Sequence, residues 1–578
     1  MLTHFGRQQT TDTITFPFSR TPTIEAKARL DNRADLAEML CLRSAVLHTL
    51  SDHELILLAY VKWGLKTPEY LLGDFAFAID DPVNNRVFCA RDHMGVVPLY
   101  YFLDDTTAIF SDDISTIARC RIVPRTVCRE AVALYLLDGE LRDDKLTFFE
   151  KVKKLPPASA MTVGSNETRD WTYWRPEDSP RIFLPTLQNY ADNLHELLRE
   201  AVSCRIPRQG NVSVHLSGGL DSSAIAALAA TESAKDGATV TGYSWLAQPL
   251  NTSETLDPEW ATGIAVANRY NIDLNYSEFN SEALLSLLQG LNIASGDSAD
   301  CWYEFGVREL AVARGSSVIL SGWGGDELIT HYGNQRYLDS FLAGKFLATL
   351  RDIWRAADKN SYRWLNFISL AWRELIMPFF PWKSKLDQEH TNYLGAASDS
   401  IIETAYAFKR AAGSHPRFSV RKSQLAFLRA GHLLCRLESW AASGRRAGVE
   451  YRYPLLDKRV VEFALGLPAE MFRSQGHPRY LFRHVVRKFL PQEVWASIHK
   501  NEPARIAKAI QACVDALSLW HAEHPGCDGG NPFIDSAKLN ALLEKIARRE
   551  SVVPEELAVD VTTAIRSILV LNMSMDLS

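Results

Sequence analysis

The chain has 578 residues, of which 47% are hydrophobic and 23% are charged, and its formal net charge is −6. This composition is typical of a globular protein that buries more than one core, and the acidic balance excludes a global basic field that recruits nucleic acid. The nine cysteines are scattered without a CxxC pair, so neither a disulfide framework nor a structural zinc site is expected.

Residues 1–175 consist of short apolar runs separated by turns. The runs 75–79 and 86–90 flank a segment rich in Asp, Asn and Pro, and a second pair of runs flanks Asp104 and Asp105. Each pair predicts a β-hairpin, in which a turn joins two antiparallel strands. We therefore predict an antiparallel, β-rich α+β domain over this part of the chain.

A proline-rich, polar segment at residues 175–180 is typical of a linker, and the spacing of apolar residues becomes helical after it. Short apolar strands at 212–216, 240–244 and 317–320 then alternate with helical segments. This alternation predicts a doubly wound parallel sheet, which makes the larger part of the chain an α/β domain. The pattern from residue 335 to the end predicts a mostly helical C-terminal part.

Neither the N-terminus nor the most apolar stretch predicts a membrane segment. Met1–Gly6 has no apolar run, so no signal peptide is expected, and the scattered thiols indicate a reduced, cytoplasmic protein. The stretch from Trp364 to Trp382 is interrupted by charged residues and prolines and is too broken to span a membrane. It predicts a buried or partner-facing helix rather than a membrane contact.

The segment Ser217-Gly218-Gly219-Leu220-Asp221-Ser222-Ser223 lies where the strand 212–216 ends and a helix begins. The glycines lack a Cβ, so the backbone can turn tightly and approach an anion. The N–H groups and dipole of the helix N-terminus favour phosphate, and the serine hydroxyls add donors. Asp221 repels phosphate unless a cation lies between them, which indicates Mg²⁺. The alternative is a plain glycine-rich turn capped by Asp; it is not a Walker loop, because the GK[ST] ending is absent.

This turn resembles the pyrophosphate loop of the asparagine synthetase family, whose members cleave ATP to AMP and pyrophosphate. A second segment, Ser321-Gly322-Trp323-Gly324-Gly325-Asp326-Glu327, resembles the family's second strand-end motif, Ser-Gly-Glu-Gly-x-Asp-Glu. The segments 450–457 and 490–500 resemble two further family motifs.

The resemblance implies ATP and Mg²⁺ as cofactors, with Asp221 and Asp326 as ligands of the cation. It implies that Lys500 stabilises charge on the phosphate, whereas the alternative for Lys500 is an ordinary surface lysine. The residues that it places against ATP and pyrophosphate are Leu216, Ser217, Gly218, Gly219, Asp221, Ser222, Ser223, Ser321 and Gly322.

The N-terminal region resembles a glutaminase domain of the N-terminal-nucleophile hydrolase kind, on the segments 30–33, 73–77 and 90–101. A working glutaminase of this kind begins with Cys after the initiator Met, because the terminal amine is the base for that thiol. Here Leu2 occupies that position, and the first cysteine is Cys41. The resemblance implies a degenerate glutaminase-like domain over residues 1–175 and an ATP-pyrophosphatase domain over residues 185–578.

Trp323 is the second departure from the family pattern. Asparagine synthetases place Glu at this position and β-lactam synthetases place Tyr. An indole cannot accept a proton, so Trp323 cannot be the general base; it is expected to offer an aromatic wall to a bulky substrate or to pack the site. Glu450 is the substitute candidate for the catalytic base, with a helix-capping or ion-pair role as the alternative.

The missing Cys and the Ser-Gly-Trp-Gly-Gly-Asp-Glu segment together most resemble lasso peptide cyclases. These enzymes adenylate an Asp or Glu side chain of a precursor peptide, whose own N-terminal amine then closes a macrolactam. The resemblance implies a precursor peptide as substrate, and a leader-binding protein and a leader protease as partners. Two alternatives stay open: another amide ligase without glutaminase activity, such as a β-lactam synthetase relative, and an inactive scaffold of a biosynthetic complex.

Overall fold

A computed structural model provides the structure of the chain. It describes residues 2–4, 21–43, 47–164, 167–207, 211–245, 258–277, 280–297, 302–357, 363–379, 393–411, 418–474, 476–497, 503–525, 531–550 and 554–577.

Two β-sheets build the N-terminal part of the chain. One has the strand order β2-β3-β4-β8-β9 and is antiparallel throughout; the other has the order β1-β6-β5-β7, with β1 parallel to β6. Both predicted hairpins are confirmed, as the pairs β3–β4 and β5–β6. The strands are β1 (Leu2–His4), β2 (Thr23–Leu30), β3 (Gly73–Asp81), β4 (Arg86–Arg91), β5 (Tyr100–Leu103), β6 (Ala108–Ser111), β7 (Val152–Lys154), β8 (Ser159–Gly164) and β9 (Thr168–Thr172).

Successive side chains of each strand point to opposite faces of its sheet, so each sheet packs against one layer on either face. Along β3, Phe75 and Phe77 pack against helices, whereas Ala76 and Ala78 belong to a second cluster that also contains Phe110 of the other sheet. The other sheet presents its far face to helices of its own. The N-terminal part is therefore a four-layer arrangement of helix, sheet, sheet and helix. Its helices are Arg33–Met39, Asp52–Trp63, Thr67–Tyr70, Ile114–Ala118 and Arg129–Asp138.

A five-stranded parallel sheet forms the centre of the second part. Its order is β12-β11-β10-β13-β14, so the chain reverses its direction of winding between β10 and β13, which are neighbours. Parallel strands of this kind bind ligands at their carboxyl ends beside such a reversal. The predicted doubly wound sheet is confirmed. Its strands are β10 (Val212–His215), β11 (Val240–Ser244), β12 (Asp273–Tyr276), β13 (Val318–Leu320) and β14 (Glu450–Arg452).

Helices surround this sheet and form most of the chain after residue 335, as predicted. Those on the sheet pack into one apolar core with it. A short hairpin of β15 (Arg473–Ser474) and β16 (His477–Pro478) lies among the later helices. The helices are Leu187–Ser203, Leu220–Ser233, Pro258–Tyr270, Ser281–Gly290, Phe305–Ala313, Arg336–Leu342, Phe346–Ala356, Arg363–Ala371, Asp399–Ala411, Val420–Arg429, His432–Ala447, Lys458–Gly466, Tyr480–Val486, Gln492–Trp495, Pro503–Glu523, Ser536–Ala547 and Pro554–Leu577.

The last helix contains a segment, Pro554–Ser574, that is long and apolar enough to cross a membrane, with a mean hydropathy of 1.3. The same segment is 61% buried inside the protein. Ala564, Ile565 and Ile568 are fully buried in a core that also includes Tyr100 and Phe102 of the N-terminal part. The helix therefore has the position of a core helix, and its apolar composition matches that position.

Buried ion pairs join the two parts. Glu438, on the helix His432–Ala447, accepts hydrogen bonds from Arg91 at 3.0 Å and Lys154 at 2.9 Å, and all three side chains are buried. Arg205 donates to Asp457 at 2.7 Å and lies 3.5 Å from Asp31. Glu438 thus pairs with two cations of the N-terminal part, and Arg205 links Asp31 of that part to Asp457 of its own part. Loss of one partner would leave a buried charge unpaired, which is strongly destabilising.

Arg205→Met is expected to lower the free energy of unfolding by about 3–5 kcal/mol, because it leaves the carboxylates of Asp31, Asp74 and Asp457 facing one another without their shared cation. Arg199→Met is the matched control, since Arg199 is a more exposed arginine paired with Glu196, and it should cost about 0–1 kcal/mol.

The same pair predicts a pH dependence. Burial acts to raise the pKa of Asp457, but the charges and hydrogen bonds of Arg205 and Arg459 together outweigh burial and lower it. Its ion pair therefore stabilises the fold above the ordinary carboxyl pKa of about 4 and loses that effect as the pH falls toward the lowered value. The Tm difference between wild type and Arg205→Met should narrow in acid. A Tm difference that is the same from about pH 7 to about pH 3 would show that Arg205 acts by packing alone.

Candidate active site

The first predicted turn connects β10 to the helix Leu220–Ser233, as expected. Gly218 has a φ of +83°, which lies in the left-handed region that favours glycine. The hydroxyls of Ser217 and Ser222 are 2.9 Å apart, and Ser222 also donates to the Gly219 carbonyl at 3.2 Å. Ser223, fully buried in the first helical turn, has a hydroxyl with no hydrogen-bond partner among the described residues. The turn thus combines a helix N-terminus with hydroxyl donors.

The second predicted turn follows β13 and touches the first. A Cβ on Gly322 would lie 2.7 Å from the Ser222 nitrogen, and one on Gly325 would lie 2.8 Å from the Asp221 carboxylate. Contacts this short exclude any larger residue, so the two glycines are what allow the turns to meet. β10 and β13 are adjacent, with Val214 beside Leu320, and both turns therefore leave the sheet at the same edge.

Both predicted metal-ligand carboxylates lie close to one guanidinium. Asp221 accepts a hydrogen bond from the Thr330 hydroxyl at 3.0 Å, and Asp326 forms an ion pair with Arg479. Burial acts to lower the pKa of Arg479, but the charges of Asp221, Asp326 and Tyr332, together with the hydrogen bond to Asp326, outweigh burial and raise it. Oxygen ligands of this kind suit Mg²⁺, and the two carboxylates with the serine hydroxyls fit a Mg²⁺–pyrophosphate group. Arg479 was not predicted from the sequence.

A buried hydrogen-bond chain supports the second turn from behind. His215, the last residue of β10, has its Nδ1 3.1 Å from the Ser321 hydroxyl and its Nε2 2.9 Å from Glu304. Glu304 also accepts from the Tyr451 hydroxyl at 2.7 Å and from the Trp245 indole at 2.5 Å. Burial acts to raise the pKa of Glu304, but His215, Arg308 and the Tyr451 hydroxyl together outweigh burial and lower the pKa. The sequence signal for this series of hydrogen bonds was His215, a polar residue between the apolar Val214 and Leu216 at the end of the strand.

Trp323 lies beside charged and aromatic side chains. The Arg436 guanidinium is 4.2 Å from the centre of its ring, and the rings of His432 and Trp440 are 5.5 and 6.4 Å away. Its indole nitrogen has no hydrogen-bond partner among the described residues. The ring therefore contributes contact area and a face for a cation, and it donates no hydrogen bond within the described chain.

Glu327 follows Asp326 in the same turn and was part of the motif without a predicted role. Burial raises its pKa, and the neighbouring charge of Asp326 acts in the same direction. His432 and Arg436, which contact the Trp323 ring, also act on this carboxyl group electrostatically. Glu327 is thus a half-buried carboxyl group four residues after Trp323 in the same turn, and its pKa is raised by burial although His432 and Arg436 act to lower it.

Glu450, the predicted substitute base, lies at the start of β14. Glu450 is the first residue of β14 and pairs with Val318, whereas the carboxyl edge of the sheet lies at Leu320 and Arg452. Its side chain is exposed and receives a hydrogen bond from Arg452 at 2.7 Å. Two residues of strand separate it from the turns by roughly 7 Å along the strand. The contact with Arg452 agrees with the ion-pair alternative, and the catalytic role of Glu450 stays a prediction.

Lys500 lies outside the described residues. The segment just before it is held by Arg483, which donates to the carbonyl oxygens of Trp495 and Ser497. Arg483 belongs to the same helix that Arg479 precedes, Tyr480–Val486. The role of Lys500 stays a prediction.

The Trp323 environment predicts different outcomes for two substitutions. Trp323→Phe should keep much of the activity, because a ring remains against Arg436 and no hydrogen bond is lost. Trp323→Ala should lose most of it, since truncating a large aromatic side chain removes roughly 3–5 kcal/mol of packing.

The measurement compares rate with Tm for each variant. Lost activity with an unchanged Tm for the Ala variant shows that the ring contacts substrate, whereas parallel losses show that it is a core residue. A Phe variant as inactive as Ala, with its fold intact, would assign the indole N–H a role that the described contacts do not show.

Comparison with known proteins agrees with these motifs. The sequence profile of the family described as Asparagine synthase matches residues 193–559, and that described as Glutamine amidotransferase domain matches residues 22–174. A relative from Mycobacterium tuberculosis, named as a glutamine-hydrolyzing asparagine synthetase, is 24% identical over 547 residues, which are 88% of this chain and 78% of that protein.

Two other relatives match over a shorter region. Asparagine synthetase 3 of Bacillus subtilis is 31% identical over 217 residues, which are 38% of this chain and 35% of that protein. Amidase chry2 of Gibberella zeae is 26% identical over 306 residues, which are 49% of this chain and 43% of that protein. The chain thus spans less than half the length of these two relatives. The profile match covers more than half of the chain, and it includes both turns of the site. The chain therefore belongs to the asparagine synthase family.

Proposed function

We propose that this chain is an AMP-forming ligase that adenylates an Asp or Glu side chain of a precursor peptide and closes a macrolactam with the peptide's N-terminal amine. The observation that carries the adenylation step is the contact between two glycine-rich turns at one sheet edge, which brings the Asp221 carboxylate beside Gly325 in the turn of Asp326, itself paired with Arg479. The choice of a lasso peptide cyclase rests on Trp323 at the position where asparagine synthetases have Glu.

The proposed reaction has two steps. A carboxylate oxygen of the peptide attacks the α-phosphorus of ATP, and the bond to the β-phosphate breaks, which releases pyrophosphate. The amine then attacks the acyl carbon, the bond from that carbon to the AMP oxygen breaks, and the amine gives up a proton.

Each group of the site has a part in these steps. Asp221 and Asp326 would hold Mg²⁺, which supplies charge neutralisation at the leaving pyrophosphate. The serine hydroxyls and the N-terminus of the helix Leu220–Ser233 bind phosphate oxygens. Glu327, in place of Glu450, is our candidate for the acceptor of the amine proton. Trp323 bounds the space for the peptide.

A second candidate is an amide ligase that uses another amine and lacks glutaminase activity. The match to a protein named as an asparagine synthetase over 88% of this chain favours it as the alternative. An inactive scaffold is the third. ATP–pyrophosphate exchange separates the scaffold from both enzymes, because the intact turns predict exchange once a carboxylate substrate is bound.

The experiment that tests the proposal uses short peptides with a free N-terminal amine and a single Asp or Glu. With ATP and Mg²⁺, the expected product is a peptide lighter by one water molecule and resistant to aminopeptidase. An ammonium salt in place of the peptide amine is the second arm. An amide formed from ammonia and no cyclic peptide would establish the second candidate instead.

As partners of the peptide reaction we propose a leader-binding protein and a leader protease.

No ammonia should be released from glutamine by this chain. The N-terminal part has four cysteines, and burial raises the pKa of three of them: Cys89, Cys120 and Cys128. The fourth, Cys41, is exposed on a turn after the first helix rather than set into a pocket of the sheets. Because the nucleophile of such chemistry is a thiolate, none of these groups is arranged for it. Ammonia formation above that of a heat-denatured sample would refute this and place a glutaminase site in the domain.

A further inference from the structure

The helices between residues 346 and 379 leave a large apolar face uncovered. Ten of the large apolar side chains that are exposed in the described part of the chain fall in this short region. Leu347 is 85% exposed, Trp364 67%, Leu365 65% and Trp372 56%. The stretch from Trp364 was predicted to be buried or partner-facing; the described structure does not bury it. An exposed apolar surface of this density marks a contact with another molecule or with a membrane.

The exposed side chains form one continuous stripe. On the helix Phe346–Ala356, the exposed Leu347 and Leu350 and the half-buried Trp354 follow one another at spacings of three and four residues, so they share one side of the helix. The Trp354 ring packs 4.6 Å from the ring of Trp364 in the next helix. Trp354 and Trp364 thus join the apolar side chains of the two helices, and the Arg363 guanidinium lies 4.4 Å from the centre of the Trp354 ring at this junction.

From Trp364 the stripe continues through Ile368, Trp372 and Ile376, each four residues after the last and each exposed. The helix Arg363–Ala371 extends into a π-helical turn at Trp372–Ile376, so this whole run is helical. The opposite side of the pair is anchored to the protein by Ile353 and Leu375, which pack with Tyr337. Both helices therefore lie flat on the protein with one apolar side inward and another outward.

The charges beside the outward face have one predominant sign. The described residues 345–357 and 363–379 contain five basic and two acidic side chains. Both acidic groups are held by arginines: Asp352 accepts a hydrogen bond from Arg336, and Glu374 from Arg373. Among the basic side chains, Lys345 is paired with Glu470, whereas Arg351, Arg355 and Arg373 are exposed. The whole chain has a net charge of −6, so the excess of basic side chains is specific to this region.

We propose that this face, formed by the outward side chains of Phe346–Ala356 and of the described residues 363–379, docks the protein on a membrane surface that contains anionic phospholipid. Tryptophan and leucine side chains enter the boundary between headgroups and acyl chains, and arginines beside them are attracted to the lipid phosphates. Two short helices lying parallel to the protein surface suit insertion in the plane of a membrane and not a span across it. The proposal is independent of the reaction at the sheet edge.

The test is flotation of the full chain with vesicles of phosphatidylglycerol and phosphatidylcholine, compared with vesicles of phosphatidylcholine alone. We expect binding to the anionic vesicles that weakens as salt is raised. The variant Trp364→Ser/Ile368→Ser/Trp372→Ser should bind at least about tenfold more weakly, with its Tm and its ATP–pyrophosphate exchange unchanged.

The matched control is Val61→Ser/Val83→Ser/Phe183→Ser, which removes three apolar side chains exposed at 71%, 70% and 80% elsewhere on the protein. It should bind vesicles as wild type does. Arg351→Gln/Arg355→Gln/Arg373→Gln should lose the preference for anionic lipid. Three results overturn the proposal: no vesicle binding by wild type, equal binding by the tryptophan variant, or a wild-type oligomer without lipid that the tryptophan variant converts to monomer. The last would make the face a contact between copies of this chain.

Discussion

Asp221→Ala and Asp326→Ala are each expected to reduce turnover at least about a thousandfold, because pyrophosphate then loses a ligand of its bridging cation. The structure strengthens this expectation, since both carboxylates act on the single guanidinium of Arg479. Removing either carboxylate leaves the charge of Arg479 less completely neutralised and removes one of the two predicted Mg²⁺ ligands. Activity is measured as AMP and pyrophosphate formed together.

The control for this pair is Asp192→Ala, an exposed aspartate on the helix Leu187–Ser203 that pairs with Lys488. It should leave both rate and Tm unchanged. The Tm of the two site variants separates chemistry from folding. Near-normal turnover in both would mean that the turns bind something other than Mg²⁺–pyrophosphate.

Lys500→Ala is expected to slow coupling by about two to three orders of magnitude while ATP binding survives. Charge builds on the phosphate as the acyl–oxygen bond breaks, and a fixed cation there stabilises the transition state more than the bound substrate. The hydrogen bonds from Arg483 to Trp495 and Ser497 hold the chain that leads to Lys500 near the segment of Arg479.

Single-turnover rates and the Kd of ATP are the two measurements for this variant. Lys508→Ala, at an exposed position on the helix Pro503–Glu523, is the matched control and should behave as wild type. A Lys500 variant with a near-normal coupling rate would reduce Lys500 to a surface lysine.

The parts of the fold that local pattern determines were predictable from the sequence. A glycine-rich turn between an apolar strand and a helix located the phosphate turn, because the backbone needs Gly218 at positive φ. Turn residues between short apolar runs located both hairpins. Parallel pairing of β10 and β13 then follows from the alternation of strands and helices.

Residues brought together from distant parts of the chain were not predictable in this way. Arg479 lies in no motif and reaches Asp326 across 153 residues of sequence. Glu304 is 89 residues from His215 in the sequence, and its hydrogen bond to His215 depends on the burial of both side chains, which no local sequence pattern predicts. The motif that contains Glu450 was recognised in the sequence. The position of Glu450 along β14 relative to the carboxyl edge of the sheet depends on the register between β14 and β13, which the pairing of the strands sets.

The measurement that tests the central claim most directly follows an oxygen atom. A peptide whose Asp or Glu side chain carries heavy oxygen in its carboxylate is incubated with ATP, Mg²⁺ and the protein, and AMP is analysed by mass spectrometry. An acyl-adenylate requires that one labelled oxygen leave with AMP when the amine attacks, so labelled AMP and a peptide lighter by one water molecule are predicted in equal amounts. Label in inorganic phosphate together with ADP would contradict adenylation, because the carboxylate would then have been activated by the γ-phosphate.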